Sequence, residues 1–179
     1  MLQTPVEPSP WDGRPIALIG LMGVGKSTVG RRLAQRLRLP FTDADQEIEE
    51  AAGLSVAEIF ERYGEDHFRD GERRVIARLV DGECKVIATG GGAFLNADTR
   101  ALILERTLAI WLDAEPQVLA ERVRRRDTRP LLRGKDPLAV LTELARVRNP
   151  LYALAPLRIV SHQAPHDATV NDIMKALGK

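Results

Sequence analysis

Little in this chain could be stapled, stacked or sunk into a bilayer. Its 179 residues include one cysteine, Cys84, so no internal disulfide can form, and nothing conflicts with a reducing compartment. Aromatic residues are only 4% of the total, few for a pocket that would stack a base as acceptor. Net charge is almost absent: 26 basic and 25 acidic side chains leave +1, so no global field draws DNA, RNA or anionic lipid. No apolar run approaches the ~20 residues needed to span a membrane. Internal repeats and low-complexity tracts are also missing. The opening "MLQTPVEPSPWDGRP" lacks the basic stretch and apolar core of a secretory signal, and residues 1–13 read as a mobile tail. The expectation is a cytoplasmic protein with one globular domain over 14–179, long enough to bury a substantial core.

Apolar runs of strand length stand at Ile16 to Ile19, around Phe41, at Val86 to Ala88, at Leu108 to Leu112 and at Leu157 to Val160. Helical patterns lie between them. Val29, Leu33 and Leu37 recur every four residues on a helix ending near Pro40. Ser55 and Glu58 have capping-box spacing and open a helix that Gly64 should close. Pro116 fits a first helical turn, and Asp136 with Pro137 starts a long helix through Arg148. Alternating strands and helices predict an α/β fold, a parallel sheet covered on both faces with ligands at the carboxyl ends of its strands. Arg124 to Asp136, "RRRDTRPLLRGKD", has neither period and reads as a long mobile loop.

"GLMGVGKST", residues 20–28, satisfies the spacing Gly-x4-Gly-Lys-Ser through Gly20, Gly25, Lys26 and Ser27, with a strand before it and a helix after. Such a loop turns its backbone N–H groups inward around phosphate oxygens, and the helix adds its positive end. Lys26 supplies a point charge at the last two phosphates, and the Ser27 hydroxyl suits a magnesium ion. The ligand implied is a nucleoside triphosphate.

Around that loop stand candidates for the acceptor side. Asp43 and Asp45 follow the second strand; if the segment is still extended, one carboxylate serves the metal and the other meets something else, whereas an Asp pair could also cap a helix beginning near Gln46. "TGGGAF" puts Gly90, Gly91 and Gly92 in a row, suggesting a ligand pressed against bare main chain or a plain tight turn. Arg69 lies on a helical segment beside Phe68, and Arg148 at the end of a helix just before Pro150. Asp113 imitates the metal-binding acid of other nucleotide hydrolases, but with Glu115 before Pro116 it better suits a helix start. His67, His162 and His166 lack metal-ligand spacing and read as surface residues. Arg122, Arg124, Arg125 and Arg126 lack the interleaved aromatics of a nucleic-acid patch.

From Arg14 to about Gly178 the chain resembles the shikimate kinase family, on "GLMGVGKSTVGRRLA", "FTDADQEIE", "EIFERYGEDHFR", "TGGGAF", "RPLL" and "RNPLY" in that order and spacing. The resemblance implies a three-layer P-loop kinase fold with a five-stranded parallel sheet of order 2-3-1-4-5. It also implies transfer of the terminal phosphoryl group of ATP to the 3-hydroxyl of shikimate, with Mg2+ as cofactor, in the route to chorismate. Carried over, Gly23, Val24, Gly25, Lys26, Ser27 and Thr28 hold ATP, and Ser27 and Asp43 serve the metal. Asp45, Arg69, Gly91, Gly92 and Arg148 hold shikimate, the two arginines gripping its carboxylate. Arg129 of "RPLL" is a lid arginine reaching the phosphoryl group, in a lid around 124–136. Lys26, Asp45 and Arg129 are thus the catalytic set. Spacing does not fix which of Arg122, Arg124 or Arg125 stacks on adenine; Arg125 is favoured, and Pro165 is the adenine contact expected from the loop near the C-terminus. Ser161 stands where the family often has Asp. The partners implied are two small molecules on a monomer, with no nucleic acid and no membrane. The rival readings are a kinase of another small hydroxy acid such as gluconate, and a non-catalytic nucleotide-binding module, although no Asn-Lys-x-Asp guanine signature is present.

Overall fold

Ile16–Ile19 (β1) is apolar at every position and buried at every position, as a central parallel strand covered on both faces must be. The computed structural model describes residues 11–125, 132 and 134–179. On one side β1 pairs with Val86–Ala88 (β3), which pairs in turn with Phe41–Asp43 (β2). On its other side β1 pairs with Leu108–Asp113 (β4), and β4 with Leu157–Val160 (β5). All pairs are parallel, and the order is 2-3-1-4-5. The carboxyl ends of β1, β2 and β3 therefore open onto one edge, where residues 20–25, 43–45 and 89–92 meet.

Seven α-helices connect the strands among the described residues: Lys26–Leu37 (α1), Ala44–Ala52 (α2), Val56–Val80 (α3), Ala97–Arg106 (α4), Pro116–Arg124 (α5), Pro137–Tyr152 (α6) and His166–Ala176 (α7). Val29 and Leu33 of α1 are fully buried, as their spacing predicts, and Leu37 packs at the margin of the core. Ser55 and Glu58 form both hydrogen bonds of the capping box.

Four expectations change. Gly64 does not close a helix: with φ 80 and ψ 174 it kinks α3, which resumes at once and runs to Val80. Only glycine takes that φ cheaply, so a residue expected to stop the helix redirects it. Helix α6 passes Pro150 and ends at Tyr152. An internal proline costs ~3 kcal/mol. Here Tyr152 offsets it, buried between Phe94 and Trp111 with its hydroxyl donating to the Gly91 carbonyl. Asp45 is not on an extended segment; the strand ends at Asp43, and Asp45 lies in the first turn of α2, which begins two residues before Gln46. Trp11, assigned above to the tail, packs against the core and donates its indole N–H to the Arg14 carbonyl at 2.7 Å. Residues 1–10 lie outside the described residues.

Candidate active site

The turn after β1 builds a cradle. Gly25 caps α1 at φ 98, and a Cβ there would stand 2.7 Å from Cε1 of His166, so both backbone angle and space require glycine. The Lys26 ammonium donates to the carbonyls of Gly20 (2.8 Å) and Leu21 (3.0 Å), which curls its stem along the loop. Gly23, Gly25, Lys26, Ser27 and Thr28 line a cavity of about 460 Å³. Val24 does not: its side chain is fully buried, its N–H donates to the Leu21 carbonyl and its own carbonyl accepts from Arg122. Arg125 and Pro165 stand on another wall of the same cavity, together with Arg122 and His166.

His166 corrects the reading of the three histidines as surface residues. His67 and His162 are exposed, but His166, the first residue of α7, puts its ring over the phosphate loop. No local spacing signals this, because it results from α7 packing beside α1.

Asp43 takes the capping role, one of the two the sequence left open, and also holds Ser27. Its Oδ1 accepts the Asp45 N–H (3.0 Å) and caps α2, while its Oδ2 accepts the Ser27 hydroxyl at 2.5 Å. The pair offers hard oxygen donors beside the phosphate cradle, a set suited to magnesium, which keeps several waters and borrows phosphate oxygens. Among the described residues no group of three or more His, Cys, Asp or Glu could hold a metal by itself.

Asp45 faces both the phosphate cavity and a second one of about 290 Å³, and Met22 and Gly91 are shared in the same way. Arg69, Glu72, Gly90, Gly92 and Arg148 line the second cavity, closed by Phe60 and Phe68. Arg69 lies over the Phe68 ring (5.2 Å) and pairs with Glu72 at 2.7 Å. Arg148 is 9% exposed and donates to the Gly91 carbonyl at 3.1 Å. Helix α3 from below the kink and the last turns of α6 thus bring both arginines to one glycine turn. That turn is not simply bare. A Cβ on Gly92 would overlap the Arg69 guanidinium, and one on Gly90 would meet Glu72 Oε1 at 2.8 Å and Asp45 Oδ1 at 2.9 Å. The missing side chains make room first for the site's own residues.

Glu72 escaped the sequence reading although it sits three residues after Arg69, one helical turn on. It is 2% exposed, and one carboxylate oxygen has no hydrogen-bond partner among the described residues. Burial holds its pKa above the ordinary carboxylate range despite Arg69, and Asp45 pushes the same way. Asp45 is also raised, first by burial and next by Asp43, with Lys26 opposing.

Arg129 lies outside the described residues, as does most of the expected lid; Arg124 closes α5, with a nitrogen 3.9 Å from Asp136. Asp113 does not start a helix: as the last residue of β4 it accepts two hydrogen bonds from Arg158 of β5, at 2.6 and 3.0 Å, and Glu115 occupies the cap position.

A central strand feeding a glycine cradle, a Ser–Asp pair beside it and a second, arginine-lined cavity define a P-loop phosphotransferase with a separate acceptor pocket. The chain belongs to the shikimate kinase family: the model of that family, described as shikimate kinase, matches residues 22–178. A shikimate kinase of Zymomonas mobilis is 57% identical over 177 residues, covering 99% of each chain. One from Caulobacter vibrioides is 58% identical over 169 residues, 94% of this chain and 84% of that one. Among solved structures, shikimate kinase from Acinetobacter baumannii in complex with shikimate superposes with a TM-score of 0.86 at 36% identity, covering 90% of this chain and 91% of that one.

Proposed function

We propose that this chain transfers the terminal phosphoryl group of ATP to the 3-hydroxyl of shikimate. The observation that carries the reading is the joining of two cavities through Met22, Asp45 and Gly91, one built on the phosphate loop and the other on Arg69 and Arg148. A small carboxylate-bearing polyol needs planar guanidinium donors at its acid end and an acceptor at its hydroxyls, and the second cavity supplies both. Arg69 and Arg148 hold the carboxylate, while the Gly91–Gly92 main chain packs against the ring. Asp45 orients the 3-hydroxyl for in-line attack and takes its proton late.

Lys26 offsets charge on the transferring group, as does Arg129 by the resemblance, and most of the rate comes from positioning. Ser27 and Asp43 would hold magnesium, whose contribution when bound is to neutralise phosphate charge. Arg125 and Pro165 enclose the base. The family model and the relatives weigh against a gluconate-type kinase, and an acceptor cavity is superfluous in a nucleotide switch.

We further propose a monomeric cytoplasmic enzyme without nucleic-acid or membrane partners. Among the described residues no helix is long and apolar enough to cross a membrane. A coupled assay of ADP release with ATP, magnesium and a panel of hydroxy acids tests the main reading. Turnover should require shikimate. Faster turnover on gluconate, or none on any acid, would overturn it.

A further inference from the structure

Arg122 belongs to α5, yet its guanidinium leaves that helix and binds three other places. One terminal nitrogen donates to the Val24 carbonyl inside the phosphate loop and to the Ser161 hydroxyl, both at 3.2 Å. The other donates to Ser161 again at 3.2 Å and to the His162 carbonyl at 2.7 Å. Ser161 is 2% exposed and follows β5 directly; His162 continues the loop that delivers Pro165 to the cavity wall. Each of these partners is a neutral oxygen. The adjacent Glu121 turns elsewhere, its carboxylate accepting from the Gln163 amide at 2.5 Å. Among the described residues no carboxylate pairs with this partly buried cation, an expensive arrangement, and burial lowers its pKa.

Surface neutralisation therefore does not explain it, whereas geometry does: a planar fork reaches acceptors in two loops at once, which an ammonium on a flexible stem cannot reproduce. These two loops wall the same cavity, the phosphate cradle on one side and the segment bearing Pro165, read above as the base contact, on the other. We propose that Arg122 is a positioning residue for ATP, holding the phosphate loop and the 161–165 loop at a fixed separation so that a nucleotide spanning both enters a preformed site. The same assignment removes Arg122 from the candidates for adenine stacking. The inference rests on reading this cavity as the nucleotide site.

The test compares a ligand that spans both loops with one that touches only the cradle: ADP and inorganic tripolyphosphate, titrated calorimetrically into wild type, Arg122→Lys and Ser161→Ala. Arg122→Lys keeps the charge and loses the fork. It should weaken ADP about tenfold and leave tripolyphosphate within twofold. Ser161→Ala, which removes two of the four hydrogen bonds, should show the same pattern at smaller size, with at least a twofold loss for ADP. In steady state the KM for ATP should rise with the ADP loss while the KM for shikimate stays within twofold. Wild-type ADP affinity in Arg122→Lys, or equal losses of both ligands, would overturn the inference. Should that variant fail to fold, unchanged ADP binding in Ser161→Ala would do so alone. If wild type itself binds no ADP, the nucleotide-site reading falls, and this inference with it.

Discussion

Asp43 and Asp45 do different work because a strand ends between them. Asp43, last in β2, is pinned by Ser27 and the α2 backbone, while Asp45, one step into the helix, is aimed between the two cavities. In the sequence, Lys26 and Ser27 stand out through the phosphate-loop spacing and the two acids through their place after a strand, whereas Arg69 and Arg148 stand out only through the family resemblance. Glu72 and His166 do not stand out, since they matter only through packing that the chain folds into. The Lys26 ammonium sits in the phosphate cradle on the Gly20 and Leu21 carbonyls, and Lys26→Met should keep the melting temperature within a few degrees while turnover drops by orders of magnitude. Turnover within tenfold of wild type would remove it from the mechanism.

If Arg69 and Arg148 read a carboxylate, each contributes charge-assisted hydrogen bonds of ~1.5 to 3 kcal/mol. Truncating either to alanine should weaken shikimate tenfold to a hundredfold or more, with lysine a poor substitute and ATP affinity barely changed. A shikimate analogue with its acid reduced to an alcohol should lose little further on truncation, and calorimetry with acid and alcohol checks this. Arg69→Ala also strands Glu72, so its fold needs a parallel melt.

Glu72 gives a pH dependence of its own. An acid whose folded-state pKa is raised favours folding while protonated. That contribution is complete below the unfolded-state value and is lost as pH climbs through the folded one. Glu72→Gln cannot titrate, so its stability relative to wild type should improve from the ordinary glutamate range upward. Denaturant melts across that window decide, and parallel curves would break the link.

At the scale of elements, strand positions and the helix starts at Ser55, Pro116 and Asp136 followed from local rules. Local rules misjudged the two elements that carry Arg69 and Arg148. Gly64 and Pro150 both signal a stop, and both are overridden because the continuing turns bury Phe68 and Tyr152 in the core. The continuation past Gly64 carries Arg69 to the glycine turn, and the one past Pro150 carries Tyr152, whose hydroxyl holds the Gly91 carbonyl beside Arg148. The turn's tolerance is accordingly narrow: Gly92→Ala forces the Arg69 guanidinium aside. The KM for shikimate should rise about tenfold, in line with loss of one charge-assisted contact, with the KM for ATP within twofold. Equal changes in both constants would mean the turn serves the fold rather than the arginine.

For the whole molecule, the strand order arranges one edge at which the two cavities open side by side, where the alternating pattern puts ligands. How closely they adjoin was not legible, because it depends on Met22, Asp45 and Gly91 facing both ways. That shared wall exposes the enzyme to waste. If the pocket of about 290 Å³ takes a polyol, it also takes solvent, and a water beside Asp45 would compete for the attack proposed for the acceptor hydroxyl. Starved of acceptor, the enzyme should hydrolyse ATP slowly. Phosphate release without shikimate measures that leak, and a non-phosphorylatable 3-deoxy analogue should suppress it by occupying the pocket. Fidelity here is a contest between a substrate and the solvent it displaces.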